Sequence, residues 1–390
     1  MSRCRTFSFR LYPTVRQTRA LEALLRSQCE LYNAALEERR GAWKWEKRSI
    51  SYVDQCRTLT ELRDVRPEVL SHGVVVCRGT LKRLDRAFSA FYRRCKAGQT
   101  PGFPRFKSVH RWDSVQWEDT SSWRVDADAR RLHLMGIGAI TLHLHRAIRG
   151  SPKAITVRRE GRRWQVSIRC VDVPAKALPA TGQAIGIDLG VGVLVATSEG
   201  DLVENSRHGK KAAAQLAKSQ QALARKKRGS RRRRNAVEAV ARCHRRVANQ
   251  RTDTLHKVSR MLVNENDLIV HEKLLLANMV RRPQPRPDGT GSFEPNGAAA
   301  KTGLNRSIYD AGWGTLLSMI AYKAEEAGRC VIEVDPRNTS RRCSNCRFVA
   351  AGNRRGAHFT CLECGHQDHA DVNAAINILE AGRALQRSAA

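Results

Sequence analysis

Residues 183–207, QAIGIDLGVGVLVATSEGDLVENSR, decide how the second half of the chain is read. Short apolar runs bounded by turn residues indicate buried strands. The stretch therefore reads as a buried strand, a tight turn, a second strand, a hairpin turn at Glu199-Gly200-Asp201 and a third strand. One acid, Asp188, ends the first run, with apolar neighbours before it and Gly190 after it. Further on, two strongly basic helices flank residues 225–235, RKKRGSRRRRN, and residues 268–272, LIVHE, form a short buried strand closed by Glu272. Residues 281–303, RRPQPRPDGTGSFEPNGAAAKTG, hold too much Pro and Gly for regular structure and read as a mobile loop. Residues 307–328 read as one helix, 330–336 as another strand and 371–382 as a last helix. Strands separated by helices predict an α/β unit over residues 183–382.

The first half has a different period. Phe7, Phe9 and Leu11 alternate in a strand stopped by Pro13, and Thr14 offers an N-cap to a helix bearing Leu21, Leu24, Leu25 and Tyr32. A second helix carries Leu81, Leu84, Phe88 and Phe91 before residues 96–108, KAGQTPGFPRFKS, break it. From about residue 113 the pattern alternates again, as in RRLHLMGIGAITLHLHR (130–146) and KAITVRREGRRWQVSIRC (153–170). The simplest arrangement is a small β-barrel with a helical block inserted into it.

Charge narrows the partner. The chain of 390 residues has 70 Lys and Arg against 37 Asp and Glu, a net charge of +33. Self-repulsion on that scale opposes compaction unless a polyanion offsets it, and nucleic acid is the first candidate. Residues 225–234 hold eight basic side chains: Arg225, Lys226, Lys227, Arg228, Arg231, Arg232, Arg233 and Arg234. They read as phosphate contacts, which hold a duplex by shape and charge. Phe103, Phe106 and Trp112 alternate with Arg105, Lys107 and Arg111, in either a stacking strip or domain packing. The opening MSRCRTFSFRLYP has no continuous apolar segment to serve as a signal peptide, so no membrane partner and a cytoplasmic location are expected.

Eight of the twelve cysteines are scattered singly; Cys343, Cys346, Cys361 and Cys364 form two Cys-x-x-Cys pairs. Such pairs supply two thiolates each to a structural Zn2+, worth roughly 10–16 kcal/mol in zinc-finger peptides. With four protein ligands that Zn2+ has no open position for chemistry. His366 and His369 lie nearby and are read as surface or nucleic-acid contacts. Asp371 follows the second pair at once.

Asp188, Glu272 and Asp371 are candidates for a shared Mg2+ site, because two-metal phosphodiester hydrolysis needs carboxylates converging from separate segments. Each has a plainer reading: a turn cap for Asp188, a pair with Lys273 for Glu272, a helix N-cap for Asp371. Asp335 competes as a strand-end acid, but the turn imposed by Pro336 accounts for it.

Four stretches resemble, in order, the TnpB family of transposon-encoded RNA-guided nucleases, relatives of compact type V CRISPR effectors: residues 185–200, 268–274, 311–346 and 361–379. Residues 9–40 and 101–108 are similar to that family too. The resemblance implies an α+β multidomain protein. A wedge-like β-barrel would comprise 1–13 and 113–182, a helical recognition lobe 14–112, a RuvC-type RNase H-like nuclease 183–342 and 365–390, and a zinc ribbon 343–364. It places Asp188, Glu272 and Asp371 on the three catalytic acids, with two Mg2+ ions. It also implies a guide RNA from the transposon end, double-stranded target DNA with a short flanking motif, no small-molecule substrate, and a prokaryotic host in which the DNA-bound protein sits on the nucleoid. One departure is visible: Arg347 stands where the family usually has Gly after the first knuckle. Two other readings stay open, a nuclease-inactive RNA-guided repressor and an RNA-independent RNase H-like transposase.

Overall fold

The computed structural model describes residues 3–65 and 72–389 and divides into two compact units, Met1–Pro174 and Ala175–Ala390. In the first, β1 (Arg5–Tyr12) turns Phe7, Phe9 and Leu11 inward by simple alternation. Thr14 and Gln17 then form a reciprocal capping box that starts α1 (Val15–Glu46), and α2 (Tyr52–Val65) and α3 (Val74–Lys96) follow. Six strands come next: β2 (Ser114–Trp117), β3 (Trp123–Asp126), β4 (Arg131–Leu134), β5 (Gly138–His143), β6 (Ser151–Glu160) and β7 (Arg163–Val171). They build one antiparallel sheet in the order β2-β6-β7-β1-β5-β4-β3. The first strand of the chain thus lies mid-sheet, and the helices are an excursion between it and its neighbours. The inward faces of β1, β5, β6 and β7 share one core with Leu21, Leu24, Leu36, Leu81 and Leu84 of the helices.

The second unit begins with β8 (Ala184–Asp188), β9 (Val193–Thr197) and β10 (Leu202–Glu204), joined by tight turns, the second with Gly200 at φ 96°. The basic helices α4 (His208–Ala224) and α5 (Arg231–Glu265) lead to β11 (Leu268–Glu272). Next come α6 (Leu276–Met279), α7 (Ala298–Ala311), α8 (Trp313–Ala327) and β12 (Cys330–Val334). Three short strands, β13 (Arg354–Arg355), β14 (His358–Thr360) and β15 (Gln367–His369), form a small sheet of their own before α9 (Ala370–Ala389). The main sheet runs β10-β9-β8-β11-β12, with β8, β11 and β12 parallel and β9 and β10 antiparallel. Parallel neighbours need long crossovers, supplied here by the helices between β10 and β11 and between β11 and β12.

The apolar runs of β8 and β11 are covered on both faces. Ile185, Ile187 and Ile269 pack with α5 and α8, whereas Leu268 and Val270 pack with Ile378 and Leu379 of α9. Residues 307–328 do not form the single helix expected: Gly312, at φ 74°, ends α7 and caps α8. The apolar period resumes across that break, which hid it. Of the expected loop 281–303, the last residues already belong to α7, and Pro287 and Phe293 form an isolated bridge. Among the described residues no helix is long and apolar enough to cross a membrane.

Candidate active site and metal centre

Asp188 is the last residue of β8 and Glu272 the last of β11. The two strands are parallel neighbours with His271 opposite Ile187, so both acids emerge at the same sheet edge. Asp371 is the second residue of α9, and two glycines bring that helix onto the sheet. A Cβ on Gly186 would lie 2.2 Å from the carbonyl oxygen of Ala375, and one on Gly382 would lie 2.5 Å from both Val270 methyls. Helix backbone therefore rides directly on strand backbone. The start of α9 ends beside the turn after Asp188, where Asp371 Oδ2 is 3.8 Å from where a Gly190 Cβ would stand.

Electrostatics record the convergence. Burial, then the charges of Glu272 and Asp371, push the Asp188 carboxyl up to about 7, partly offset by Arg354. Burial also raises Glu272, against the opposing pull of the Thr339 hydroxyl, Arg354 and His271. Thr339 Oγ1 donates to Glu272 Oε1, and Arg354 Nη2 donates to Asp371 Oδ1 at 2.6 Å. Three clustered carboxylates with one guanidinium leave uncompensated negative charge in a half-buried place, which calls for a cation.

The cysteines are drawn tighter. Their four sulfurs all lie within 4.8 Å of one another, with Cys343–Cys364 at 3.7 Å and Cys346–Cys361 at 3.5 Å. Tetrahedral Zn–S bonds of about 2.3 Å imply S···S separations of about 3.8 Å, so the quartet fits Zn2+. Among the described residues it alone gathers three or more such ligand atoms so closely; the carboxylates are set wider. The two knuckles repeat one design. Arg347 and Gly365 each donate an amide N–H to the carbonyl of the first cysteine of their pair, at 3.1 Å, and both sit at φ 71°. Arg347 thus adopts the left-handed turn glycine would take, and its guanidinium pairs with Glu380 of α9. Neither nearby histidine joins the sulfurs: His366 Nε2 meets Ser344 Oγ at 3.3 Å, and His369 Nδ1 accepts the Asp371 amide at 3.3 Å.

The ribbon and the third acid are one piece. Asn373 accepts the Ser344 amide at 2.9 Å and donates to the Arg342 carbonyl at 2.8 Å. Asn377 donates to the carbonyls of Thr339 and Arg342, at 3.0 and 2.7 Å. Both amides are buried on the face of α9 that follows Asp371.

Three family models match parts of the chain: "Probable transposase" over residues 167–282, "Cas12f1-like, TNB domain" over 313–378 and "Helix-turn-helix domain" over 1–48. A Streptomyces pristinaespiralis protein named "Putative RNA-guided DNA endonuclease" is 34% identical, the alignment covering 97% of this chain and 90% of that one. This chain belongs to the TnpB family. A relative of the same description, InsQ of Escherichia coli K12, is 30% identical across 99% of this chain and 94% of its own. A Cas12f1–sgRNA–target DNA complex has the same overall fold, with TM-score 0.56 at 14% identity over 97% of this chain and 98% of that one.

In this TnpB-family chain the basic run forms the turn between α4 and α5 and the first turn of α5. Arg225, Lys226, Lys227, Arg228, Arg231, Arg232 and Arg234 are exposed. Arg233 is turned in, donating to the carbonyls of Leu223 and Lys226 at 3.2 Å. Four arginines in a helix's first turn oppose its macrodipole, an arrangement that an anion there would relieve. Trp112 is no stacking platform: it is 2% exposed and packs on Tyr32 with ring centroids 5.2 Å apart. Phe103 and Phe106 remain half-exposed.

Sequence reasoning missed Arg354, Thr339 and the asparagine pair. Arg354 carries no local signal within GNRRGAHF, and Thr339 sits in a charged stretch. Asn373 and Asn377 were findable, as two amides four residues apart on an apolar helix face.

Proposed function

We propose that this chain is an RNA-guided DNA endonuclease that hydrolyses phosphodiester bonds with Mg2+ at Asp188, Glu272 and Asp371. The observation that carries this is the convergence of three carboxylates from β8, β11 and α9, where burial and then the charges of Glu272 and Asp371 raise Asp188 to about 7. The sheet order β10-β9-β8-β11-β12, with the first three strands antiparallel, supports an RNase H-like core of RuvC type over 183–342 and 365–390. The sulfur spacing supports a Zn2+ ribbon at 343–364. The sheet with its helical excursion supports a wedge-like unit of 1–13 and 113–174 carrying a recognition lobe of 14–112; the expected boundary at 182 moves back, because residues 175–182 bond to the second unit.

Asp188, Glu272 and Asp371 would hold the Mg2+ ions, which would supply positive charge to stabilise the attacking and leaving oxygens of an in-line displacement. Asp188 must lose its proton from Oδ for a cation to be held, so cation binding releases a proton near neutral pH. Thr339 fixes one Glu272 oxygen, leaving the other free to turn toward the site. Arg354 balances Asp371 until substrate arrives and then faces a phosphate with its guanidinium. Arg225–Arg228 and Arg231, Arg232 and Arg234 track nucleic-acid backbone, while base pairing to a guide RNA from the transposon end selects a target beside a short flanking motif.

The test is expression of the full chain with its native flanking DNA, sequencing of the RNA that copurifies, and incubation with a matched DNA duplex in Mg2+. Cleavage of the matched duplex alone is expected. Cleavage without RNA, or bound RNA with no cleavage of any matched target, overturns the reading.

A further inference from the structure

The end of α1 and the end of α3 enclose a cavity of about 800 Å³ that also takes in Phe103. It falls in the range of about 300–1,000 Å³ usual for small-ligand sites, room enough for a nucleotide. One wall is a cluster of rings: Phe103 stands edge-on to Phe88 and Phe91 at 5.6 and 5.3 Å, and Tyr92 packs on Phe91 at 5.3 Å. Trp43, Trp45 and Tyr92 add ring surface at the mouth and are 60, 76 and 54% exposed. Lys44 and Arg48 bring cations to the same lining, Lys44 resting on the Trp45 ring at 4.2 Å.

Within this lining Arg39 is only 9% exposed. Its Nε donates to Gln55 Oε1 at 2.9 Å and its Nη1 to Asp85 Oδ1 at 3.2 Å. Its Nη2 is buried with no hydrogen-bond partner among the described residues. That nitrogen is shut off from the cavity, and the guanidinium lies over the Phe88 ring, 5.1 Å from its centroid, so Arg39 holds the wall rather than a ligand. Aromatic faces and mouth cations together match a single unpaired nucleobase with its phosphate.

We propose that this cavity takes an unpaired base of the guide RNA, stacked on the exposed rings, with its phosphate beside Lys44 and Arg48. The inference rests on the RNA-guided reading above. Folded RNA offers unstacked bases in loops and bulges, and the carboxylates of Glu37 and Asp85 can accept from a ribose 2′-hydroxyl, which DNA lacks. The base supplies the ring face; Lys44 and Arg48 supply the phosphate contact.

The test uses the full chain freed of copurified RNA in high salt. It is titrated with a single-stranded RNA of about 12 nucleotides, inside the usual 4–16-nucleotide footprint. The same sequence as DNA, and the same RNA with its bases removed, are run beside it. Trp43→Ala combined with Tyr92→Ala should weaken RNA binding by about 5- to 100-fold, the worth of a lost stacked base. The salt slope should be unchanged, because no phosphate contact is lost, and the abasic RNA should bind both proteins alike. Trp43→Phe with Tyr92→Phe should restore affinity. Unchanged RNA affinity, an equal loss for abasic RNA, or a loss for DNA but not RNA each overturns the proposal. A parent chain with no RNA affinity sinks the guide-RNA reading itself. Parental RNA affinity kept by the double variant sinks the pocket alone.

Discussion

Two anionic clusters lie at the two ends of one short path, from the cysteine knuckles to the start of α9, and they are built to different tolerances. The thiols are closed on one another, four sulfurs within 4.8 Å, each pair anchored by its own amide turn. The carboxylates sit wider, come from three elements, and meet a guanidinium on one side. A closed set holds its ion for stability; an open set leaves positions for water and substrate. On the proposed reading the open cluster does the chemistry, and the ribbon acts as a bracket. It delivers Arg354 and, through Asn373 and Asn377, fixes the helix that bears Asp371.

The largest effect should come from opening the wider cluster. Asp188→Ala, Glu272→Ala and Asp371→Ala should each reduce guided cleavage below detection while leaving RNA and target binding within about threefold, read by gel shift, since binding rests on base pairing and backbone charge. Double variants should be no worse than single ones, because ligands of one centre act as a unit. Asp335→Asn is the control. That acid is exposed and only closes a turn with Arg337, so most activity should remain. A dead Asp335→Asn beside an active Asp371→Ala would put the third ligand elsewhere.

Opening the tighter cluster should come next. Cys343→Ser should lower bound zinc and thermal stability, and cleavage should fall with them, because the knuckle is tied to α9 through Ser344 and Arg342. Zinc content by mass spectrometry, melting temperature and cleavage rate form one experiment. Stoichiometric zinc with parental stability would refute the closed quartet. Lost zinc with intact cleavage would refute the bracket.

How much of this was legible depends on distance along the chain. Asp188 and Glu272 could be picked out because each ends a short apolar run, and the cysteines because their spacing is local. Arg354 could not, since its partner, Asp371, is fixed only when the ribbon folds back onto α9. The break at Gly312 was hidden for a related reason: apolar periodicity continues through it, and only a positive φ reveals the turn. Trp112 stayed open between stacking and packing because alternation with arginines fits both equally, and burial, which sequence does not carry, decides for packing.

A smaller effect tests the cost of crowding the acids. Without metal, the carboxyl of Asp188 is raised to about 7 from 3.8, so the folded chain holds a proton that the unfolded chain releases between those values. Stability in Mg2+-free buffer should therefore fall as pH rises from about 4 through 7, by about 2–4 kcal/mol for this group. Asp188→Asn removes the titration. It should be more stable than the parent at pH 8 and converge with it near pH 4.5 in urea unfolding, without chelator so that zinc stays. Equal stability at pH 8 would show that neither burial nor the neighbouring carboxylates raise Asp188.

The smallest expected effect separates the two knuckles. Gly365 and Arg347 hold the same left-handed turn, but arginine there carries backbone strain of about 1 kcal/mol that glycine does not. Against that, Arg347 pairs with Glu380 of α9, a half-exposed contact of about 0–1 kcal/mol. Glycine also gives the unfolded chain more freedom, a further loss of about 0.5–1 kcal/mol. The terms nearly cancel, so Arg347→Gly should shift stability by no more than about 1 kcal/mol in either direction, with zinc retained. Placed in a Glu380→Ala background, where the ion pair is already gone, the same change should be more favourable than in the parent. A loss of more than about 2 kcal/mol in the parent, absent in that background, would make the Arg347–Glu380 pair a principal tie between ribbon and helix. The bracket would then hang on a charge pair as much as on the asparagines.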